Sequence, residues 1–182
     1  TGGTIGLIET GCSAGAESLT TISGGTVSEF KGEVGELKVA GGSITGTTTI
    51  LSAAGETVDY AVNADGLYVP AVAEVNGVKY VTLKDAVAAV ADGGVIMLIA
   101  NETFTEANRT LSSGSWYEGL YYVGDKSFTI NLNGFTITQN GAVNDYLMLF
   151  KNEGSKANTI TLQNGTIDAG STAYCAICTS SA

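Results

Sequence analysis

Short segments of alternating apolar and polar residues, many of them flanked by glycine, run along much of the chain. Ile130 and Leu132, Ile160 and Leu162, and Leu147 and Leu149 each set an aliphatic residue at every second position. That is the period of a strand with one buried face. A phrase recurs with constant polarity as Gly2-Gly3-Thr4-Ile5, Gly24-Gly25-Thr26-Val27, Gly41-Gly42-Ser43-Ile44 and Asn164-Gly165-Thr166-Ile167. The first three lie 22 and then 17 residues apart. Phe128-Thr129-Ile130-Asn131-Leu132 aligns with Asn158-Thr159-Ile160-Thr161-Leu162 at a spacing of 30. Uneven periods of this size predict stacked coils carrying loops of different length. Thr, Ile and Val favour strands, while a Gly pair permits the corner between them. Stacking sets Ile over Ile and Leu over Leu, each buried side chain contributing ~1.5–3 kcal/mol, and no single coil buries its own inner face. The expected fold class is therefore mainly β, a parallel β-helix. An antiparallel sandwich uses similar strands and turns, but it does not require one phrase to recur with one polarity.

The middle of the chain has another texture. Val58 to Val62, the turn Asn63-Ala64-Asp65-Gly66 and Leu67 to Val69 predict one hairpin, with Pro70 just after it. Val72 to Val75, Asn76-Gly77 and Val78 to Val81 predict a second, because Asn-Gly supplies the two positive-φ positions of a tight turn. Thr82 is an N-cap with Asp85 three residues on. Leu83, Ala86, Val87 and Val90 then form one helical stripe, which Asp92-Gly93-Gly94 closes. Val95 to Ala100 is an apolar strand run. A helix directly before the first strand of a coil stack predicts an end cap over its core. Three regions result: coils over 1–57, a β-hairpin connector over 58–81, and the capping helix with further coils over 82–182.

Composition narrows the chemistry. The chain has 182 residues, a net charge of -10, one Arg (Arg109), no His and three Cys. Scattered acids with so few cations argue against nucleic acid as a partner, since phosphate binding needs clustered Lys and Arg. No apolar run is long enough to span a bilayer, so membrane insertion is not expected. Without His there is no conventional Ser or Cys triad. Cys175-x-x-Cys178 resembles half of a metal site, but a structural zinc needs about four ligands, so no metal or cofactor is expected.

Val75-Asn76-Gly77-Val78-Lys79-Tyr80-Val81-Thr82-Leu83-Lys84-Asp85-Ala86-Val87, then Ala91-Asp92-Gly93-Gly94-Val95-Ile96-Met97-Leu98, then Phe128 to Ile137 with Leu132-Asn133-Gly134, resemble a known family. They are similar to the pectate-lyase-like right-handed β-helix modules of repetitive Gram-positive bacterial surface proteins. Ile22 to Val27 is similar to the phrase that closes such modules, and the 58–72 hairpin to the tail beyond it. The resemblance implies a right-handed solenoid displayed outside the cell or on the bacterial cell surface. It also implies a departure in order, since this sequence opens inside coils, passes a tail, starts a new module and stops in mid-coil. Lyases on this fold need an Asp cluster for calcium and a basic proton-abstracting residue. Arg109 lies in a polar stretch without acids beside it in sequence, and Asp168 is isolated, so the chain is not expected to be an enzyme.

Two functions follow as expectations. In the first, the chain is a non-catalytic extracellular structural protein, subunit or segment of a surface filament, that stacks head to tail on itself. Running one copy into the next separates the Asn164 and Gly2 phrases by 20 residues, within the spacing inside the chain. A non-closing contact of this kind gives a fibre, and Cys175 or Cys178 would approach Cys12 of the neighbour to form an intersubunit disulfide. In the second, the chain is an adhesin module binding a glycan or host ligand. Trp116, Tyr117, Tyr121 and Tyr122, in a Gly/Ser-rich loop over 112–124, would stack on carbohydrate, against the alternative that they pack on the coil flank.

Overall fold

The computed structural model describes residues 3–10, 19–105, 108–113, 116–139, 146–152, 156–170 and 174–181, without the side chains of 110–117 and 181. Among these the chain is mainly β, with twenty strands and one helix. The strands form several small sheets of two to five members. Contacts divide the chain into two compact units, Thr1–Ala71 and Val72–Ala182, each around its own buried cluster. The division falls between the two predicted hairpins.

The first unit holds β1 (Thr4–Glu9), β2 (Thr20–Ile22), β3 (Thr26–Glu33), β4 (Leu37–Val39), β5 (Ser43–Ile44), β6 (Thr48–Leu51), β7 (Tyr60–Val62) and β8 (Tyr68–Pro70). The recurring phrase marks rungs of one parallel ladder: Thr4, Thr26 and Ser43 are in register, as are Ile5, Val27 and Ile44. β2 and β4 form a second parallel ladder, and the far half of β3 pairs with β6. Gly25 shows why the phrase needs its glycines. Its φ is +78°, and a Cβ there would sit 2.6 Å from the Gly3 carbonyl oxygen. Ile22, Val27, Phe30, Leu37 and Ile50 form the buried cluster. β7 and β8 pair antiparallel. Asn63 Oδ1 closes their turn by accepting from the Asp65 and Leu67 amides, both at 3.0 Å. Pro70 is the last residue of β8, where it opposes Tyr60.

The second unit opens with β9 (Ala73–Val75) and β10 (Val78–Tyr80), joined through Asn76 and Gly77 at φ 51° and 81°. Helix α1 (Leu83–Ala89) follows, then β11 (Gly94–Leu98), β12 (Glu102–Phe104), β13 (Thr110–Ser113), β14 (Trp116–Val123), β15 (Phe128–Asn131), β16 (Thr136–Gln139), β17 (Tyr146–Asn152), β18 (Ile160–Gln163), β19 (Thr166–Asp168) and β20 (Cys175–Ser181). Three parallel ladders run β11-β15-β18, β12-β16-β19 and β14-β17-β20. The chain visits them in the same order three times. β9 adds antiparallel to β11. Leu83, Ala86, Val87 and Val90 pack into the same cluster as Ile96, Leu98, Phe104, Leu120, Ile130 and Ile137, so the helical stripe covers the core as its spacing predicts.

Several local expectations need correction. Phe128 opposes Ile160, and Ile130 opposes Leu162, so the repeat across β15 and β18 is 32 residues rather than 30. A slip of two keeps every side chain on its own face, and the apolar alternation therefore cannot distinguish the two alignments. In β17 the alternation breaks. Leu147 and Met148 are both buried and Leu149 is not, where the rungs pass from Tyr146 to Met148 without Leu147. On the neighbouring strand a Cβ on Gly119 would lie 2.6 Å from the Phe104 ring. The region over 112–124 is not a loop. β13 and β14 form an antiparallel pair, and β14 then joins the parallel ladder, as its run of aromatic and aliphatic β-formers favours. Helix α1 stops at Ala89, before the glycines. Lys126 Nζ caps its end by donating to the carbonyls of Val87, Ala88 and Val90 at 3.3, 3.3 and 2.7 Å.

Candidate functional site

Two kinds of feature are candidates for function, the outer edges of the ladders and the polar groups near them. β1 pairs only with β3, β18 only with β15, β19 only with β16 and β20 only with β17, among the described residues. In-register neighbours on parallel strands point to the same face. Ile5 therefore faces the same way as Val27, yet Ile5 is 52% exposed and Val27 2%. Ile177 shares the face of Met148, with exposures of 43% and 0%. Each edge thus displays aliphatic side chains aligned with a buried row.

The cysteines of the outer strand lie together. Cys175 and Cys178 are free and half-buried on β20. The Cys175 thiol donates to the Ile177 carbonyl at 2.9 Å. The Cys178 thiol is held above the usual range, first by burial and then by Cys175. On the neighbouring strand, partial burial and then Cys178, Tyr174, Cys175 and Glu118 raise the Tyr146 hydroxyl. The Tyr146 and Tyr174 rings meet edge-on at 5.8 Å. Cys12 lies outside the described residues.

The four aromatics proposed for ligand stacking separate. Trp116 and Tyr117 belong to β14, with side chains outside the described set. Tyr121 is half-buried. Tyr122 is buried, its ring 5.1 Å from Phe128 in edge-on contact, and its hydroxyl accepts the Lys126 amide at 3.0 Å. Tyr122 is therefore taken up by the core. Alternation along β14 requires this, since Glu118, Leu120 and Tyr122 share one inward face. Arg109 lies half-buried beside Asn108, whose carbonyl accepts from Lys84 Nζ at 2.9 Å.

Sequence reasoning missed three buried carboxylates, Glu36 in the turn between β3 and β4 and the strand residues Glu102 and Glu118. Strand parity was the available signal for the latter two, because Glu102 shares a face with Phe104, and Glu118 with Leu120. Glu102 Oε2 accepts the Leu83 amide at 2.9 Å, which satisfies a backbone donor in the first turn of α1. Burial raises its carboxyl above the ordinary 4.5, opposed by that hydrogen bond and by Lys84.

Among the described residues no group of three or more His, Cys, Asp or Glu is arranged to hold a metal ion. Among the same residues no helix is long and apolar enough to cross a membrane. No protein-family model matches the chain, and no curated protein or solved structure shows significant similarity to it.

Proposed function

We propose that this chain is a non-catalytic structural module, built of right-handed parallel β-helix coils, that joins copies of itself head to tail into an extracellular or cell-surface filament. The threefold visit to three parallel ladders supports the coil reading. Parallel crossovers are right-handed in nearly all sheets, which supports the hand. One observation carries the assembly: Ile177 is 43% exposed on the rung where Met148 is fully buried. A further strand laid on β20 would bury Ile177 as β20 buries Met148. β1 offers the complementary surface through Ile5 and Leu7, and its phrase repeats the Asn164-Gly165-Thr166-Ile167 phrase that leads into β19. A contact between two different surfaces propagates rather than closes.

The rival reading is a segment of one long polypeptide whose continuity is covalent. Native material of intact mass near 18.5 kDa that forms fibres in negative stain supports head-to-tail assembly. A much larger covalent chain supports the rival, and dispersed small particles contradict the assembly.

A further inference from the structure

The glycine ahead of a rung has a steric reason at Gly25, Gly42 and Gly165. A Cβ on Gly25 would lie 2.6 Å from the Gly3 carbonyl oxygen, one on Gly42 3.0 Å from that of Gly25, and one on Gly165 2.5 Å from that of Phe135. Each of these oxygens belongs to the equivalent residue of the preceding coil. Each also accepts the amide of the residue after the glycine: Thr26 donates to Gly3 at 2.9 Å, Ser43 to Gly25 at 3.1 Å and Thr166 to Phe135 at 3.1 Å. Where one main-chain corner rests on another in this way, only a residue without a Cβ fits. Phe135 marks the contrast. The amide after it, Thr136, donates to the Asn101 side-chain oxygen at 2.9 Å, so this corner does not rest on a main-chain carbonyl and carries a large side chain.

Gly3 holds the same place ahead of β1, yet among the described residues a Cβ there would meet nothing within 4 Å, and its φ is outside the left-handed region. At the other open edge the Gly165 carbonyl is the next acceptor in the series, and no main-chain amide among the described residues donates to it. We propose that Gly3 is kept small for a second copy of this chain. β1 of one copy seats in parallel on β19 of its neighbour, the Thr4 amide donating to the Gly165 carbonyl, with Thr4 beside Thr166 and Ile5 beside Ile167. This rests on the head-to-tail reading and gives that contact its register. The occupant follows from what the Gly3 corner requires, a main-chain carbonyl directly ahead of a Thr-aliphatic pair on a strand with one face open. Gly165-Thr166-Ile167 supplies it, and β19 pairs only with β16 among the described residues. Ile5, 52% exposed, then acquires an aliphatic neighbour as Val27 has in Ile5 and Ile44. β3 shows how one strand serves two partners, since Thr26 and Val27 pair with β5 while Phe30 to Glu33 pair with β6. In the same way the far half of β1 is left to run on toward the β20 edge.

Gly3→Ala is the first test, because the added methyl meets nothing in the single chain and meets the Gly165 carbonyl in the assembly. The expected result is an unchanged melting temperature, with sedimenting species that need roughly tenfold or more protein to form. Cross-linking reads the register itself. In a Cys12→Ser, Cys175→Ser, Cys178→Ser background, chains with Thr4→Cys are mixed with chains with Thr166→Cys and oxidised. In-register residues on neighbouring strands lie ~4.8 Å apart, within the Cα range of a disulfide. The mixture should therefore give a covalent dimer that neither chain gives alone, and Thr4→Cys mixed with Thr161→Cys should give none. Wild-type assembly that Gly3→Ala leaves intact, or dimers as abundant with Thr161→Cys as with Thr166→Cys, would overturn this register and leave head-to-tail assembly standing. A wild-type chain that never assembles would remove the reading beneath it and the register together.

Discussion

Met148 and Ile177 occupy one rung of adjacent parallel strands, and the first is sealed from solvent while the second is 43% exposed. The difference is one covering strand. Burial along this ladder is thus a property of strand stacking, and a strand without an outer neighbour leaves its row exposed.

Ile130 tests that dependence in the interior. It is fully buried, with Ile96 on one side and Leu162 on the other. Ile130→Ala should cost about 2–5 kcal/mol through lost transfer energy and a residual cavity, read as a lower urea midpoint. An unchanged midpoint would mean that the rung is not packed as described.

Glu102 predicts a pH effect with a definite sign. Its carboxyl titrates above the ordinary 4.5 in the fold. Between the unfolded value and the raised folded value, the native state keeps a proton that the unfolded chain has lost. Stability from this group therefore falls as pH rises through that window. Glu102→Gln keeps an acceptor for Leu83 and should flatten the profile above pH 4.5. Glu102→Ala leaves the amide unsatisfied and should cost about 1–3 kcal/mol at all pH values. Thermal unfolding against pH separates the two variants. A Gln variant that keeps the wild-type slope would sink the assignment.

How much of this was legible beforehand depends on the kind of signal. The rungs Thr4–Thr26–Ser43 could be aligned by eye because their glycines fix the corner, and a corner has only one register. The β15–β18 alignment slipped by two because strand alternation repeats every two residues. Helix α1 announced itself through its Thr82 cap and apolar stripe. Its end did not, because Lys126 reaches it from a distant segment and nothing local marks that contact. Glu102 and Glu118 were missed for a similar reason, since an acidic residue in a strand reads as solvated until the parity of its neighbours is followed.

Lys126→Ala should expose the last carbonyls of α1 and cost roughly 1–2 kcal/mol, with faster hydrogen exchange at Val90, whose amide donates to Ala86 at 2.9 Å. Unaltered exchange there would show that the cap contributes nothing.

If carbohydrate is not a partner, Trp116→Ala and Tyr121→Ala should leave a glycan array as blank as the wild-type chain does. Saturable binding by the wild type that Trp116→Ala abolishes would favour the adhesin reading over the structural one.

The edge itself is tested most directly by sedimentation of the purified chain at rising concentration beside Ile177→Lys. A charge on an edge strand opposes further strand addition and leaves the buried rows untouched. The expected outcome is growing species for the wild type, and a single 18.5 kDa species of unchanged melting temperature for the variant. A wild-type chain that stays monomeric at every concentration, or a variant that assembles just as well, would contradict stacking through these strands.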